Sequence, residues 1–281
     1  MKTKSFSLAL GAGGVRGLAH LKILEVLDRH HLKPTCIAGA SIGALVGALY
    51  ASGASSQSIQ SLIQAEWLDK LPEPGGLIEK IIKPVQTLRW VKVNLDGKSA
   101  LQPDKIIDFL LDHFKIKTFE DLQIPLHVVA TDYWSGKEVV LNSGELKPAL
   151  MATMAIPGIF PPVELDDKLL FDGVYANGLP VSQLPKNDDL KIAVDVPLDL
   201  NPAYKESTMP HLTEFSQNMI DRLLSNNIQQ QLKHDTPDFY LCCPIKNMGI
   251  LSFEKIESVY NQAEPACEQL TTQLRKWEMI P

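Results

Sequence analysis

Cysteine is scarce in this chain: Cys36, Cys242, Cys243 and Cys267 are the only four in 281 residues, and no C-x-x-C pair occurs. That spacing excludes a disulfide framework and a thiolate metal site, and points to reduced thiols inside a cell. A basic field is also missing. The net charge is −6, from 27 basic and 33 acidic residues, which excludes the cationic stripe that a nucleic-acid partner requires. Long apolar runs are absent too: the longest, Ala38–Tyr50, is too short to cross a bilayer and carries Ser41 and several glycines. Glycines interrupt the N-terminal segment before an apolar stretch of secretory length can form. A cytoplasmic protein, at most peripheral at a membrane, is therefore expected. The seven histidines form no H-x-x-x-H pair, so no metal and no cofactor is expected.

What is present alternates between two periodicities. Ser5–Leu10 and Thr35–Gly39 read as short strands, and Gly17–His30 and Gly43–Gly53 as helices. Strand, turn, helix and strand within 40 residues form a right-handed βαβ unit and hence a parallel sheet. Further strands are expected at 124–132, 137–144, 168–173, 189–196 and 237–244. Further helices are expected at 55–68, 104–114, 146–155, 209–235 and 254–278. This is one α/β domain over 1–281, its sheet mostly parallel and covered on both faces. Residues 69–102 differ: prolines and glycines break them, yet they hold Ile78, Ile81, Ile82, Leu88 and Trp90 among several lysines. They read as an insertion over one sheet edge.

Two glycine-bounded turns draw attention. Gly39–Gly43 is G-A-S-I-G, a G-x-S-x-G pattern with a strand before and a helix after. That context holds the Ser41 hydroxyl in a tight turn at a helix N-terminus, where negative charge is favoured; a plain serine N-cap is the bland alternative. The other turn is Leu8–Gly17. A dinucleotide fingerprint fails there because the sixth position from Gly11 is Arg16, and Gly17 comes one place late. Backbone N–H groups of Gly13 and Gly14 could instead serve an oxyanion beside Ser41. Arg16 is then either a clamp on the loop or a solvated charge. No histidine stands at a strand end with an obvious companion, and His20 suits packing or a local hydrogen bond. Asp172, at the end of a strand and followed by Gly173, is the acid that could accept the serine proton; its bland reading is an Asp-Gly turn.

Together these pieces resemble the patatin-like phospholipase family, in particular its small bacterial members. The glycine-rich motif looks like Gly11, Gly13, Gly14, Arg16 and Gly17. The serine motif is GASIG, with Gly39 and Gly43. The aspartate motif looks like Asp172, Gly173, Val174, Asn177 and Pro180. Ala130–Asp132 and Met154–Val163 add to the likeness, which runs from Leu8 to about Val196. The resemblance implies a three-layer α/β/α fold and a Ser41–Asp172 dyad without histidine. It also implies oxyanion donors on Gly13, Gly14 and Val15, and hydrolysis of phospholipid or lysophospholipid acyl esters without a metal. Val174 stands where the family has glycine or alanine, beside the expected base, and Lys22 where relatives mostly have glycine.

On this reading Ser41 forms an acyl-enzyme and Asp172 acts as base, although a free aspartate, with a pKa near ~3.9, is a weak one. The same dyad would serve an acyltransferase, and Val174 leaves room for a weakly active or non-catalytic lipid-binding protein. A triad with His211 or His234 is a lesser variant. The expected partner is a lipid or acyl-ester substrate, with transient contact at a membrane surface and self-association both compatible with the chain. Residues 69–102 are then either a lid whose Ile78, Ile81, Ile82, Leu88 and Trp90 line an acyl channel or an ordinary packed loop with solvated lysines.

Overall fold

The computed structural model describes residues 4–65, 103–199, 212–246, 248 and 255–281. The acyl-channel candidates Ile78, Ile81, Ile82, Leu88 and Trp90 lie outside the described residues, as does His211.

Seven strands form one path across a central sheet, and an eighth is attached to it. These are β1 (Phe6–Leu10), β2 (Ile37–Ala40), β3 (Leu126–Asp132), β4 (Glu138–Leu141), β5 (Val163–Leu165), β6 (Lys168–Asp172), β7 (Leu190–Asp195) and β9 (Phe239–Cys242). The order is β5-β6-β3-β2-β1-β7-β9, with β4 on β3. Pairings within β3-β2-β1-β7-β9 are all parallel, while β4, β5 and β6 are antiparallel additions. A short separate pair joins β8 (Leu198–Asp199) to β10 (Ile245–Lys246).

Every residue of β1 and β2 is buried, as a parallel sheet covered on both faces demands. The pleat sorts them by size. Leu8 sits in register with Ile37 and Ile192, and Leu10 with Val194, all within the larger core. That core also takes in α1 (Ala19–Arg29), α2 (Ile42–Ala51) and α8 (Ile256–Lys276). Ala9, flanked by Ala38 and Ala193, faces the other way. This row of methyl groups leaves room for Leu179, Val181, Leu184 and Ile228, the last on α7 (Leu212–Gln231). The result is a three-layer α/β/α arrangement with a largely parallel sheet. Lys22 spans Glu25 (2.7 Å) and Glu264 (3.4 Å), linking α1 to α8, so its departure from the family pattern concerns helix packing.

Remaining helices are α3 (Ser56–Ile63), α4 (Pro103–Phe114), α5 (Leu146–Thr153) and the single turn α6 (Val174–Asn177). The strand β5 and the turn α6 have no counterpart in the sequence reading, because segments of three and four residues carry too little periodicity to register.

Candidate active site

The site follows from one edge of β3. Strand β2 pairs with β3 only as far as Ala40, opposite Val129. The next residue of β3, Ala130, is opposite Asp172, the last residue of β6. Because β4 occupies overlapping positions of β3, β2 and β6 must share its other edge and meet there end to end. Ser41 leaves the end of β2 as Asp172 arrives at the end of β6.

Ser41 adopts φ 52° and ψ −127°, a conformation costing a branched-out side chain roughly 1–3 kcal/mol. Close packing enforces it. A Cβ on Gly43 would overlap the Leu10 carbonyl oxygen, and one on Gly39 would lie 2.6 Å from the Ala44 backbone. The two glycines let α2 start directly against the ends of β1 and β2. A Cβ on Gly173 would likewise run into the Val129 carbonyl oxygen, so β6 can end this close to β3 only with glycine there.

The Ser41 hydroxyl donates to Asp172 Oδ2 at 2.9 Å. Val174 N–H donates to the other carboxylate oxygen at 3.0 Å. Ser41 and Asp172 are 5% and 2% exposed. Burial pushes the Asp172 carboxyl up to about 7, against the opposing pull of the Val174 N–H and the Ser41 hydroxyl. The environment thus supplies the basicity that a free aspartate lacks. Among the described residues, no imidazole is hydrogen-bonded to Ser41.

Two buried threonines fill the gap between β2 and β6, and sequence reasoning named neither. The Thr153 hydroxyl donates to the Val129 carbonyl and accepts from the Ser41 N–H at 2.8 Å. Thr131 donates to the Asp172 carbonyl at 2.8 Å and accepts from Ala176 N–H at 3.1 Å. The Thr153 hydroxyl thereby bridges Ser41 to β3 where β2 ends, and the Thr131 hydroxyl ties the end of β6 to α6. The Val174 side chain packs with Ala12, Ala40 and Val129, and its backbone N–H is the group that bonds the carboxylate.

The glycine loop follows β1 at the same end of the sheet. Gly11 N–H continues the ladder to Val194 O at 2.9 Å. Gly13 packs against Val196, and Gly14 (φ 58°) opens a 3-10 turn, Gly14–Leu18, whose first N–H groups, those of Gly14 and Val15 among them, have no partner within the turn. Gly17 packs so tightly on Ile42 that a Cβ would collide with it. This locks the glycine loop to the first residue after Ser41. His20 lies fully buried with Nε2 2.8 Å from the Gly11 carbonyl. Burial holds its pKa down to about 4, so the ring is neutral and Nε2 is the donor. Arg16 is a buried clamp, not a solvated charge. It is 5% exposed, lies 3.7 Å from Asp221, and is pulled below its usual pKa by burial, with Asp221 and Asp195 opposing. Asp195 is held in turn by the Tyr240 hydroxyl at 2.7 Å. A cavity of about 370 Å³ is walled by Gly13, Arg16, Val174 and Asp195 with residues of α7; neither Ser41 nor Asp172 lines it. Among the described residues, no group of His, Cys, Asp and Glu side chains could hold a metal ion.

The patatin-like phospholipase family matches residues 8–185, a span containing every residue of the Ser41–Asp172 network. This chain belongs to that family. That family is one of hydrolases acting on lipid and acyl esters. An uncharacterized NTE family protein of Mycobacterium tuberculosis H37Rv is 34% identical over 68% of this chain and 48% of its own length. A lysophospholipase NTE1 of Lodderomyces elongisporus is 24% identical over the whole chain, which covers 20% of that protein. The chain thus spans about half, or less, of the curated relatives it matches. In fold it is similar to the crystal structure of VipD from Legionella pneumophila, with a TM-score of 0.53, 12% identity, and coverage of 96% of this chain and 67% of that one. Among the described residues, no helix is long and apolar enough to cross a membrane.

Proposed function

We propose that the chain is a serine esterase that cleaves acyl esters of lipids, phospholipid or lysophospholipid, through a Ser41–Asp172 dyad. The observation that carries this is the buried 2.9 Å hydrogen bond from the Ser41 hydroxyl to an aspartate whose basicity burial has raised. Asp172 takes the proton as Ser41 Oγ attacks the ester carbonyl. Backbone N–H groups of Gly13, Gly14 and Val15 receive the oxyanion, each donor of this kind being worth roughly 3 kcal/mol. Collapse returns the proton from Asp172 to the departing alcohol and leaves acyl-Ser41. Water, giving its proton to the same carboxylate, then releases the acid and restores the hydroxyl. A base titrating near neutrality suits both half-reactions.

The lipid reading draws support from the family and from relatives named lysophospholipase. Residues 1–281 are read as one catalytic domain with 69–102 as its substrate-side insertion, working in the cytoplasm and peripherally at membranes. The test is a screen of wild type and Ser41→Ala against lysophospholipids, phospholipids, glycerides and short p-nitrophenyl esters. Lipid acyl-ester cleavage by wild type alone supports the proposal; equal rates in both proteins overturn it.

A further inference from the structure

The β3–β4 hairpin holds two aromatic rings out in water. Asp132, the last residue of β3, organises the turn. Its carboxylate accepts from the N–H groups of Trp134 (3.4 Å) and Ser135 (3.3 Å) and from the Ser135 hydroxyl, and its carbonyl accepts from Gly136 N–H at 2.8 Å. Gly136, at φ 67°, completes the turn. In this arrangement Trp134 is 79% exposed and Tyr133 56%. Turning the chain requires neither ring, since Asn, Ser or Gly would do so without exposing apolar area. The rings are also the outer end of a row. Centroids of Trp134 and Tyr133 lie 4.8 Å apart, Tyr133 and Phe171 6.4 Å, and Phe171 and Tyr175 5.3 Å. Tyr175, at the inner end of the row, lies on the turn that directly follows Asp172 and Gly173, so the row runs from the hairpin tip to the neighbourhood of the Ser41–Asp172 pair. The tip projects from the end of β3 that also carries the Ser41 turn.

We infer that the Tyr133–Trp134 tip is an anchor for a zwitterionic phospholipid surface, docking the site-bearing end of the sheet on a bilayer. This rests on reading Ser41–Asp172 as a lipid-ester site. The chemistry of the tip selects the occupant. Tyrosine and tryptophan pair an apolar body with one polar edge and suit the headgroup–acyl boundary. Exposed Lys137 and Lys168 flank the tip, and exposed Asp166 and Asp167 on the β5–β6 turn offset them. With the Asp132 carboxylate inside the turn, the tip has no positive excess, matching a zwitterionic phosphatidylcholine headgroup better than an anionic one.

The test uses full-length protein carrying Ser41→Ala, so that binding is read without turnover, with phosphatidylcholine vesicles as the probe. Adding Trp134→Ala should lower the vesicle-bound partition about tenfold. It should also abolish a blue shift of indole emission that the parent protein shows on vesicles. In an otherwise wild-type background, Trp134→Ala should leave hydrolysis of a soluble butyryl ester unchanged, which also reports folding. Equal partition of the two proteins overturns the anchor. So does concentration-dependent self-association that Trp134→Ala removes, because a second copy would then cover the tip. A wild type inert toward every ester would count against the dyad instead, while the vesicle comparison still decides the anchor.

Discussion

The two shoulders of the site satisfy their polar groups differently. On the serine shoulder, each side-chain oxygen of Ser41, Asp172, Thr131 and Thr153 has a hydrogen-bond partner, although these residues come from four separate stretches of chain. On the glycine-loop shoulder, Arg16 buries Nε and Nη1, and His20 buries Nδ1, with no hydrogen-bond partner among the described residues. There the arginine charge is balanced through space by Asp221 and Asp195. A fully bonded network is stiff, whereas a segment without one depends on packing and buried charge. The difference teaches how the site is preorganised: hydrogen bonds set nucleophile and base before substrate arrives, while the loop beside them is held by the packing of Gly17 on Ile42 and by the buried Arg16.

Breaking the serine shoulder should therefore cost most. Asp172→Asn keeps the size and an acceptor for the Val174 N–H, reverses the bond to Ser41 because the amide NH2 can only donate, and removes the base, so kcat should fall by about 10²–10⁴-fold. Stability should move the other way. Because the folded-state pKa is raised from 3.8 to about 7, the contribution of Asp172 is complete below 3.8 and lost as pH rises through about 7. The Asn variant should thus melt higher than wild type at pH 8 and show little difference at pH 4. Lower activity with an unchanged or lower Tm at pH 8 would mean that the carboxyl is not held in a desolvated site.

The pH profile of wild type comes next in size. Activity, expressed as kcat/KM, should drop roughly tenfold per pH unit below about 7 as Asp172 takes up its proton. His20, already neutral down to about 4, should add no second ionisation in that range. A limb of slope two would show that both shoulders titrate together.

Smaller effects distinguish the shoulders more finely. Thr153→Val strands the buried Ser41 N–H, at a cost of about 1–3 kcal/mol in stability, and kcat should fall about tenfold as the turn loosens. Thr153→Ser should restore both, and failure of that rescue would remove the hydroxyl from the account. Val174→Ala should change kcat/KM less than about threefold, since the bond to the carboxylate comes from its backbone N–H and volume changes at a half-buried contact are tolerated. A large gain on truncation would show that branching does crowd the base.

This contrast also explains what was legible in the sequence. The Ser41 turn was visible because its demands are local: Gly39 and Gly43 lie within two residues of the serine and answer collisions at the ends of β1 and β2. Asp172 alone looked like any Asp-Gly turn, and only its likeness to a family motif, together with GASIG, singled it out. Thr153 bonds Ser41 across 112 positions and Thr131 bonds Asp172 across 41, so no periodicity or turn signal could reveal either. Their one trace was that Ala130–Asp132 and Met154–Val163, at or next to these threonines, share the family likeness. Arg16 could not be assigned from sequence either, since its burial depends on α7 and on the end of β7. Strand alternation gave the parallel core of the sheet, but not the antiparallel arrival of β6 that brings base to nucleophile.

The central claim is that Ser41 is a nucleophile activated by Asp172. Reacting the purified protein with a fluorophosphonate and mapping the adduct by mass spectrometry tests it most directly. The account expects a single adduct on Ser41, formed far more slowly in Asp172→Asn and absent from Ser41→Ala. A stable adduct on another residue with Ser41 unmodified, or labelling of Ser41 at the same rate without Asp172, would contradict it.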